Sequence, residues 1–235
     1  MHVLVVTAVP VERDAVTRAF EDGSEVAVRR VPGAEIHRAG PFDVLAGGAG
    51  PAAAAASAAF ALASDRYDLV ISAGIGGGFT GVAPVGSLVV AGRIGAADLG
   101  AETPAGFVPV TDLGFGRVWH FPPRSLVRAV TAATRAVTGD VLTVSTVTGS
   151  AERAAALLAA HPGAVAEAME GFGVAEAADR LGLPVLEIRA VSNAVGPRDR
   201  DAWRIGDALA ALTDAFGKLI PVLEGWTTHH DRDHS

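Results

Sequence analysis

The chain has 235 residues, of which 50% are hydrophobic, and its formal net charge is −7. The acidic balance and the lack of a basic stripe argue against nucleic-acid binding. The chain contains no cysteine, which excludes disulfides, thiolate zinc sites and a cysteine nucleophile.

The first residues, HVLVVTAVP, form a short apolar run without a basic leader or a small-residue cleavage site. We therefore predict a buried first strand rather than a signal peptide. No apolar run reaches the roughly 18–20 residues that a membrane helix needs. Together with the lack of cysteine, these features favour a cytoplasmic protein with no membrane partner.

Runs rich in β-branched residues alternate with amphipathic or alanine-rich segments along the chain. In chain order, the predicted elements are strand 3–7, helix 11–20, hairpin strands 26–30 and 35–39, strand 42–46, helix 51–64, strand 69–72, strand 85–91, helix 125–138, strand 141–146, helix 150–160, helix 164–181, strand 185–191 and helix 205–223. Segment 97–123 is predicted to be irregular.

This alternation is typical of an α/β protein with a mostly parallel or mixed sheet. We predict a single three-layer αβα domain, residues 1–226, around a twisted central sheet. The remaining residues, 227–235, are predicted to form a polar, disordered tail.

Two glycine-rich stretches follow predicted strands: GGAGPA at 47–52 and GIGGG at 74–78. Residues 48–53 fit a G-x-G-x-x-A dinucleotide-binding pattern, but Asp68 precedes its strand instead of following it as that pattern requires. Two further interpretations stay open. Either the glycines only permit tight turns, or bare backbone at Gly76 and Gly77 approaches a sugar or a phosphate group.

Four stretches, VVTAVPVERDAV, GGAGPAAAA, SAGIGGG and AEAMEGFGVAEAADRLGLPVLEIRAVSNAVG, together span most of the chain. In this order they resemble the nucleoside phosphorylase/hydrolase family, whose members cleave the N-glycosidic bond of purine nucleosides. The last stretch is the most specific, because it resembles the family signature of an M-E-G or M-E-A helix followed by a strand with R-A-x-S and then Asp or Asn. The chain looks most like the branch of methylthioadenosine nucleosidases, and within it like the hydrolases that act on futalosine in an alternative menaquinone pathway.

The resemblance implies roles for four residues of these stretches. Glu12 holds and deprotonates the attacking water, Glu170 accepts hydrogen bonds from ribose hydroxyls, and Met169 packs on the sugar. Arg189 supports the other site residues without binding the substrate directly. From the residues alone, the favoured interpretation is that Glu12 is an acid of the first turn of a helix and that Glu170 is a solvated helix carboxylate. Arg189 is equally a buried ion pair with Glu170 or Glu187.

Two departures from the adenosine-type pattern bear on the substrate. The hydrolases that act on adenosine-type nucleosides usually have the sequence E-M-E, and here Ala168 replaces its first glutamate. They also have an aspartate at the position of Asn193. Hypoxanthine offers two acceptors, O6 and N7, to which an asparagine amide donates and which a carboxylate repels. We therefore predict that Asn193, held in place by Ser192, selects a 6-oxopurine and stabilises the departing base.

The loop after Asn193 supplies further candidates for substrate binding. Trp203 stands where the hydrolase branch has an aromatic that packs over the ligand, although an ordinary core tryptophan is the alternative. Arg198 or Arg200 is predicted to pair with the carboxylate on the 5′ substituent of futalosine, and a solvated loop is the alternative. The resemblance also implies a homo-oligomer in which Trp119 or Phe121 completes the neighbouring site.

The predicted function is therefore hydrolysis of a 6-oxopurine nucleoside, with futalosine giving dehypoxanthinyl futalosine and hypoxanthine. Water is the expected nucleophile, because residues 7–12 lack the G-D-P-x-R-type phosphate loop of the family's phosphorylases. We predict no cofactor and, since no histidine pair has metal-ligand spacing, no metal. The alternatives are a purine nucleoside phosphorylase, a methylthioadenosine-type nucleosidase and a non-catalytic Rossmann-type nucleotide-binding module.

Overall fold

The computed structural model describes residues 1–20 and 27–226, so the predicted tail 227–235 and the first residue of predicted strand 26–30 lie outside the described residues. The strands of the described part are β1 Val3–Thr7, β2 Ala27–Val31, β3 Ala34–Ala39, β4 Phe42–Ala46, β5 Leu69–Gly78, β6 Leu88–Ala96, β7 Gly100–Thr103, β8 Gly106–Pro109, β9 Trp119–His120, β10 Val137–Thr143, β11 Ala164–Ala168 and β12 Val185–Ala194. The α-helices are α1 Pro10–Thr17, α2 Pro51–Ser64, α3 Arg124–Thr134, α4 Ala151–Ala160, α5 Gly171–Asp179 and α6 Ile205–Gly225.

A mixed sheet forms the centre of the fold. Its strands follow the order β11–β10–β6–β12–β5–β1–β4–β3–β2, and β9 pairs with β6. The neighbours β4, β1, β5 and β12 are parallel, as are β6, β10 and β11. The end of β5 also pairs antiparallel with β11, so that β5, β12, β6, β10 and β11 close into a ring of strands.

Helices cover both sides of the sheet, because each must bury an apolar stripe. On one side α2 and α5 pack on a core that includes Ala54, Ala58 and Val174. On the other side α1, α3 and α6 pack around residues such as Val16 and Leu126. This central mixed sheet with flanking helices confirms the predicted α/β fold class.

The strands β5 and β12 continue beyond their predicted ends at residues 72 and 191. The interpretation that the GIGGG glycines permit a tight turn after the strand is wrong, because residues 74–78, which include Gly76 and Gly77, are extended and pair with β12. Glycine weakens a strand in general, but it also marks places where backbones approach closely. A Cβ on Gly78 would lie 2.0 Å from the carbonyl oxygen of Ala83.

The predicted helix 164–181 is wrong in its first part. Residues Ala164–Ala168 form β11, which pairs with both β10 and β5, and α5 begins only at Gly171. Alanine favours a helix in isolation, but tertiary pairing of a fully buried segment overrides this weak preference. Met169 and Glu170 therefore lie in the turn between a strand and a helix.

Smaller differences concern the middle of the chain. Segment 97–123, predicted to be irregular, contains the hairpin β7–β8 and the short strand β9. Helix α3 ends earlier than predicted because Arg135 adopts a left-handed conformation with φ of 57°, and β10 starts at Val137 as a result. No helix in the parts of the chain that the structure describes is long and apolar enough to cross a membrane.

Candidate active site

The predicted site residues gather at one edge of the sheet, where the parallel strands β1, β5 and β12 end. Glu12 lies in α1, directly after β1, and Asn193 lies near the end of β12. Glu170 follows β11, which pairs with the end of β5. Ligands of α/β sheets bind outside the carboxyl ends of the strands, so this edge is the candidate active site.

The carboxylate of Glu12 is held by three backbone N–H groups. Oε2 accepts hydrogen bonds from Ala8 (2.9 Å) and Val9 (3.2 Å), and Oε1 accepts one from Ile75 (2.8 Å). Glu12 thus caps its own helix and also reaches across to β5. Because a carboxylate has about four acceptor positions, one position is left for a water molecule at a residue that is only 3% exposed.

The surroundings of Glu12 favour a basic carboxylate. Burial raises the pKa of Glu12, the N–H of Ile75 and the charge of Arg189 lower it, and the charge of Glu170 raises it again. The balance lies above the ordinary value of a glutamate. A carboxylate whose pKa is raised takes a proton more readily, which suits a general base.

Glu170 is bound on two sides and is not a solvated helix carboxylate. Its Oε1 accepts a hydrogen bond from the N–H of Gly50, and its Oε2 accepts one from Nη1 of Arg189, both at 3.1 Å. Gly50 belongs to the glycine turn before α2, so the N–H group of this turn binds a carboxylate of the chain itself. The acceptor positions that remain are suited to a pair of hydroxyl groups.

Arg189 is fully buried and binds three side chains through the fork of its guanidinium. Nε donates to Oε1 of Glu187 (2.9 Å), Nη1 to Glu170, and Nη2 to Oγ of Ser72 (2.9 Å). Both ion pairs considered from the sequence therefore occur together. Burial alone would lower the pKa of Arg189, but the surrounding carboxylates raise it overall, so the residue stays cationic.

Gly74 leaves room beside β5 for the side chains of both Glu12 and Arg189. A Cβ on Gly74 would lie 2.7 Å from Oε1 of Glu12 and 2.8 Å from Nη1 of Arg189. Both distances are too short for a real contact, so any larger residue would displace one of the two charged groups. The glycine run in β5 is thus explained at this position by the chain's own side chains.

The glycines predicted to bind substrate also make close contacts within the chain. A Cβ on Gly76 would lie 2.9 Å from the carbonyl oxygen of Glu167. A Cβ on Gly77 would lie 2.9 Å from Cγ2 of Val195 and 3.4 Å from Nδ2 of Asn193. Gly77 therefore places β5 directly beside the predicted base-binding amide.

Asn193 follows an irregularity in the pairing of β12 with β5, which falls at Ser192. Oγ of Ser192 lies 2.9 Å from Oδ1 of Asn193 and 3.3 Å from the carbonyl oxygen of Gly76, while Nδ2 of Asn193 donates to the carbonyl oxygen of Ala194 at 3.0 Å. An amide nitrogen has two N–H groups, so the half-buried Asn193 retains one donor for a ligand.

The loop after β12 folds back onto the end of that strand. The N–H of Arg204 donates to the carbonyl oxygen of Ser192 at 2.8 Å, which brings the half-buried Trp203 to this edge of the sheet. The guanidinium of Arg198 lies 5.2 Å from the ring centre of Trp203, so one face of the indole is covered by the chain itself. Arg198 and Arg200 are both exposed.

Three further candidates differ in exposure. Met169 is half-buried beside Glu170. Phe121 is 69% exposed, whereas Trp119 is half-buried and has the guanidinium of Arg93 at 4.4 Å from its ring centre. Of the two aromatics considered for a neighbouring subunit, Phe121 is thus the one with a free surface in the single chain.

Sequence reasoning missed the contact between Glu167 and Thr148. Oε1 of Glu167 accepts a hydrogen bond from the N–H of Thr148 at 2.8 Å, and Oε2 binds the hydroxyl of the same residue. This buried pair fixes the loop after β10 beside β11. An acid inside the apolar stretch AVAEA was the available signal, but a helix prediction places that acid on a solvated face.

Among the described residues, one group of side chains has the spacing of metal ligands: His2, Asp43 and Asp65. Asp43 already binds the guanidinium groups of Arg29 and Arg38. The group lies at the opposite ends of β1 and β4 from Glu12, so it does not belong to the candidate active site.

Comparison with known proteins agrees with this architecture. The family model described as the phosphorylase superfamily matches residues 3–221, and the chain therefore belongs to this superfamily. The family resemblance predicted from the sequence is thus confirmed.

The relatives of this chain include proteins named futalosine hydrolase. The one from Streptomyces coelicolor is 66% identical, over 97% of this chain and 99% of that protein. The one from Acidothermus cellulolyticus is 45% identical, over 92% of this chain and 89% of that protein.

Solved structures share the fold. Futalosine hydrolase of Helicobacter pylori superposes with a TM-score of 0.81 at 15% identity, over 94% of this chain and 97% of that one. A 5′-methylthioadenosine/S-adenosylhomocysteine nucleosidase from Colwellia psychrerythraea, in complex with adenine, superposes with a TM-score of 0.78 at 23% identity, over 96% and 95% of the two chains.

Proposed function

We propose that the chain is a nucleoside hydrolase that cleaves futalosine to dehypoxanthinyl futalosine and hypoxanthine, a reaction of menaquinone biosynthesis. The relatives named futalosine hydrolase support this substrate over their nearly full-length match. The geometry around Glu12 supports hydrolysis as the reaction type. Asn193 supports hypoxanthine as the purine base that is released.

The observation that carries the proposal is the position of the Glu12 carboxylate. It already occupies the N–H groups of Ala8, Val9 and Ile75, which would otherwise form an anion-binding cradle. A phosphate ion there would find its donors taken and a negative charge in its place. A water molecule, in contrast, can donate a hydrogen bond to the remaining acceptor position of Glu12, so hydrolysis is favoured over phosphorolysis.

Cleavage of the N-glycosidic bond is dissociative: the C1′–N9 bond is mostly broken, and its electron pair leaves with the purine, before the nucleophile bonds. Glu170 orients the ribose through its hydroxyls, and its negative charge stabilises the cationic sugar. The water oxygen then bonds to C1′ while its proton passes to Glu12. The departing base takes a proton from solvent. Throughout the reaction, Met169 packs on the sugar.

Asn193 supports the choice of hypoxanthine. Nδ2 of Asn193 uses one N–H for the carbonyl oxygen of Ala194, and the other matches the acceptors O6 and N7 of a 6-oxopurine. An amide does not protonate N7, so its role is to stabilise the negative charge that builds on the leaving base. Ser192 fixes the amide through Oδ1, and Trp203 closes the site above it.

We also propose a cytoplasmic homo-oligomer in which Phe121 completes the neighbouring site. The support is the absence of cysteine, the family resemblance and the exposure of Phe121. The mass of the purified wild-type chain in solution tests the homo-oligomer, and comparison with the Phe121→Ala variant tests the role of Phe121.

The experiment that tests the function is incubation with futalosine, inosine, methylthioadenosine and adenosine, each with and without phosphate, with free base measured. The expected result is release of hypoxanthine from futalosine at a rate that phosphate does not change. A requirement for phosphate would establish a phosphorylase instead, and preferred release of adenine a methylthioadenosine-type nucleosidase. Tight NAD binding without release of any base would favour the nucleotide-binding module.

A further inference from the structure

Glu187 is a buried carboxylate to which the reaction assigns no role so far. It lies on β12 two residues before Arg189, so both side chains point to the same face of the sheet. Both residues have no exposed surface, and Nε of Arg189 donates to Oε1 of Glu187 at 2.9 Å. The second oxygen, Oε2, has no hydrogen-bond partner among the described residues.

This contact fixes the part of the guanidinium that the other partners leave free. A guanidinium presents its N–H groups in a rigid planar fork. Nη1 and Nη2 hold Glu170 and Ser72 at the far end, whereas Nε lies at the base of the fork and determines its rotation. Glu187 therefore sets the plane in which Arg189 meets Glu170.

Glu187 also touches the turn that carries Glu170. A Cβ on Gly171 would lie 2.2 Å from Oε2 and 2.3 Å from Oε1 of Glu187, distances that no real side chain tolerates. The carboxylate thus fills the space that a methyl group would occupy at position 171. Gly171 follows Glu170 directly, so Glu187 contacts both the cation that binds Glu170 and the backbone that positions it.

We propose that Glu187 is a positioning residue for the hydrolysis: it orients Arg189, and through Arg189 it aligns the Glu170 carboxylate with the ribose hydroxyls. Gly171 is its required counterpart, which explains why this chain has glycine at a position where the family signature admits glycine or alanine. The inference rests on the proposed function for the role of Glu170, but the pairing of Glu187 with Gly171 is independent of the substrate.

Glu187 can accept the hydrogen bond from Arg189 in either protonation state, because a protonated carboxyl group keeps an acceptor oxygen. Burial raises its pKa, Arg189 lowers it and Glu170 raises it again, with a balance above the ordinary value. Nε of Arg189 needs an oxygen acceptor, which a glutamine amide also offers. Glutamine is therefore the conservative replacement, whereas leucine has a similar size and no acceptor.

The test compares Glu187→Leu with Glu187→Gln, and uses Glu224→Leu as a matched control at an exposed position of α6. We expect Glu187→Leu to lower kcat/KM for futalosine by about 10- to 100-fold, the size typical of losing an outer partner of a functional side chain. Inhibition by free hypoxanthine, which has no ribose, should stay within about twofold of wild type. Glu187→Gln should recover most of the lost activity, and Glu224→Leu should retain the wild-type value.

Three results would overturn the proposal: full activity of Glu187→Leu, an equal loss of hypoxanthine binding, or a Gln variant as inactive as the Leu variant. Failure of the proposed function is separate, because it appears as a wild-type protein that releases no hypoxanthine from futalosine.

A thermal double-mutant cycle tests the pairing even if the chain acts on another nucleoside or the Leu variant folds poorly. We expect Gly171→Ala to lower Tm by several degrees in the wild type and not to lower it in Glu187→Ala, where the space is free. An equal loss of Tm in both backgrounds would show that Gly171 and Glu187 are not coupled, and would overturn the proposal.

Discussion

Glu12 and Ile75, which are 63 positions apart in the chain, are joined by a 2.8 Å hydrogen bond from the Ile75 N–H to Oε1 of Glu12. The bond ties the helix after β1 to the glycine-rich end of β5. It therefore fixes the direction of the carboxylate relative to the strand that borders Asn193. Gly74 has no side chain, and the place that a Cβ would take there lies 2.7 Å from Oε1 of Glu12 and 2.8 Å from Nη1 of Arg189.

Replacement of the predicted base should remove hydrolysis, with the loss of a backbone hydrogen bond at the carboxylate oxygen that the amide nitrogen replaces. Glu12→Gln keeps the size of the side chain but cannot accept a proton from water. We expect kcat for release of hypoxanthine to fall by about 10²- to 10⁴-fold, the range for loss of a general base. The measurement is the rate of base release under saturating futalosine.

The matched control for Glu12→Gln is Glu152→Gln, which changes an exposed acid in the first turn of α4. It should leave the rate unchanged. A Glu12→Gln variant with wild-type kcat would show that another group deprotonates the water.

The pH dependence of kcat/KM should report the surroundings of Glu12. Only ionised Glu12 accepts a proton, and burial raises its pKa despite the N–H of Ile75 and the charge of Arg189. Activity should therefore fall as pH decreases through a value above that of an ordinary glutamate. The measurement is the acid limb of kcat/KM for the free enzyme.

The variant Glu170→Gln tests the direction in which the pKa of Glu12 shifts. The negative charge of Glu170 contributes to the raised pKa of Glu12, so its removal should lower that pKa. We expect the acid limb to move to lower pH, although the overall rate also falls because the ribose is held less well. A limb that stays in place or moves upward would mean that Glu12 is not the group observed.

Asn193→Asp should change the base preference. The new carboxylate would face O6 of hypoxanthine and repel it, whereas it can accept a hydrogen bond from the exocyclic amine of adenine. We expect activity on the hypoxanthine nucleoside to fall by at least about 100-fold, since mismatched buried hydrogen-bond partners discriminate by up to about 10⁴. The ratio of adenine to hypoxanthine release from matched nucleosides measures the effect.

Asn193→Ala separates loss of the donor from gain of a charge. It should lower activity on the hypoxanthine nucleoside without a gain in the preference for adenine. If Asn193→Asp leaves the base preference as in wild type, Asn193 does not select the base.

Local patterns predicted those elements whose ends are marked by the sequence itself. Strand β1 and helix α2 match their predicted bounds, because an apolar β-branched run defines the first and Pro51 starts the second. Glu170 and Asn193 both belong to the stretch that resembles the family signature, and the structure brings them to one edge of the sheet. What these features share is a signal that lies within a few neighbouring residues.

The remaining features depend on contacts between distant segments. β11 has a helix-favouring sequence and becomes a strand because β10 and β5 pair with it. The glycines of β5 suggest a loop, yet they permit close approach of Glu12, Arg189 and the backbone of Glu167. No local pattern reports such approaches, so the contact of Glu187 with Gly171 and the place of Gly74 beside Glu12 and Arg189 follow only from the three-dimensional arrangement.

Two exposed arginines, Arg198 and Arg200, lie in the loop after β12. A carboxylate on the 5′ substituent of futalosine would pair with an exposed arginine through a bidentate contact. Removal of the arginine that makes this contact, by Arg198→Ala or Arg200→Ala, is therefore expected to raise KM for futalosine by about tenfold or more, the effect of losing about 1.4 kcal/mol of binding. Inosine lacks this carboxylate, so its KM should change far less.

Two comparisons decide which arginine acts and whether the effect is specific. Arg198 also stacks on Trp203, so its removal should disturb inosine somewhat more than removal of Arg200 does. Arg204→Ala is the control, because the Arg204 side chain in the same loop pairs with Asp207. Equal rises of KM for futalosine and inosine in both variants would mean that neither arginine binds the 5′ carboxylate, and that the loop acts only through Trp203.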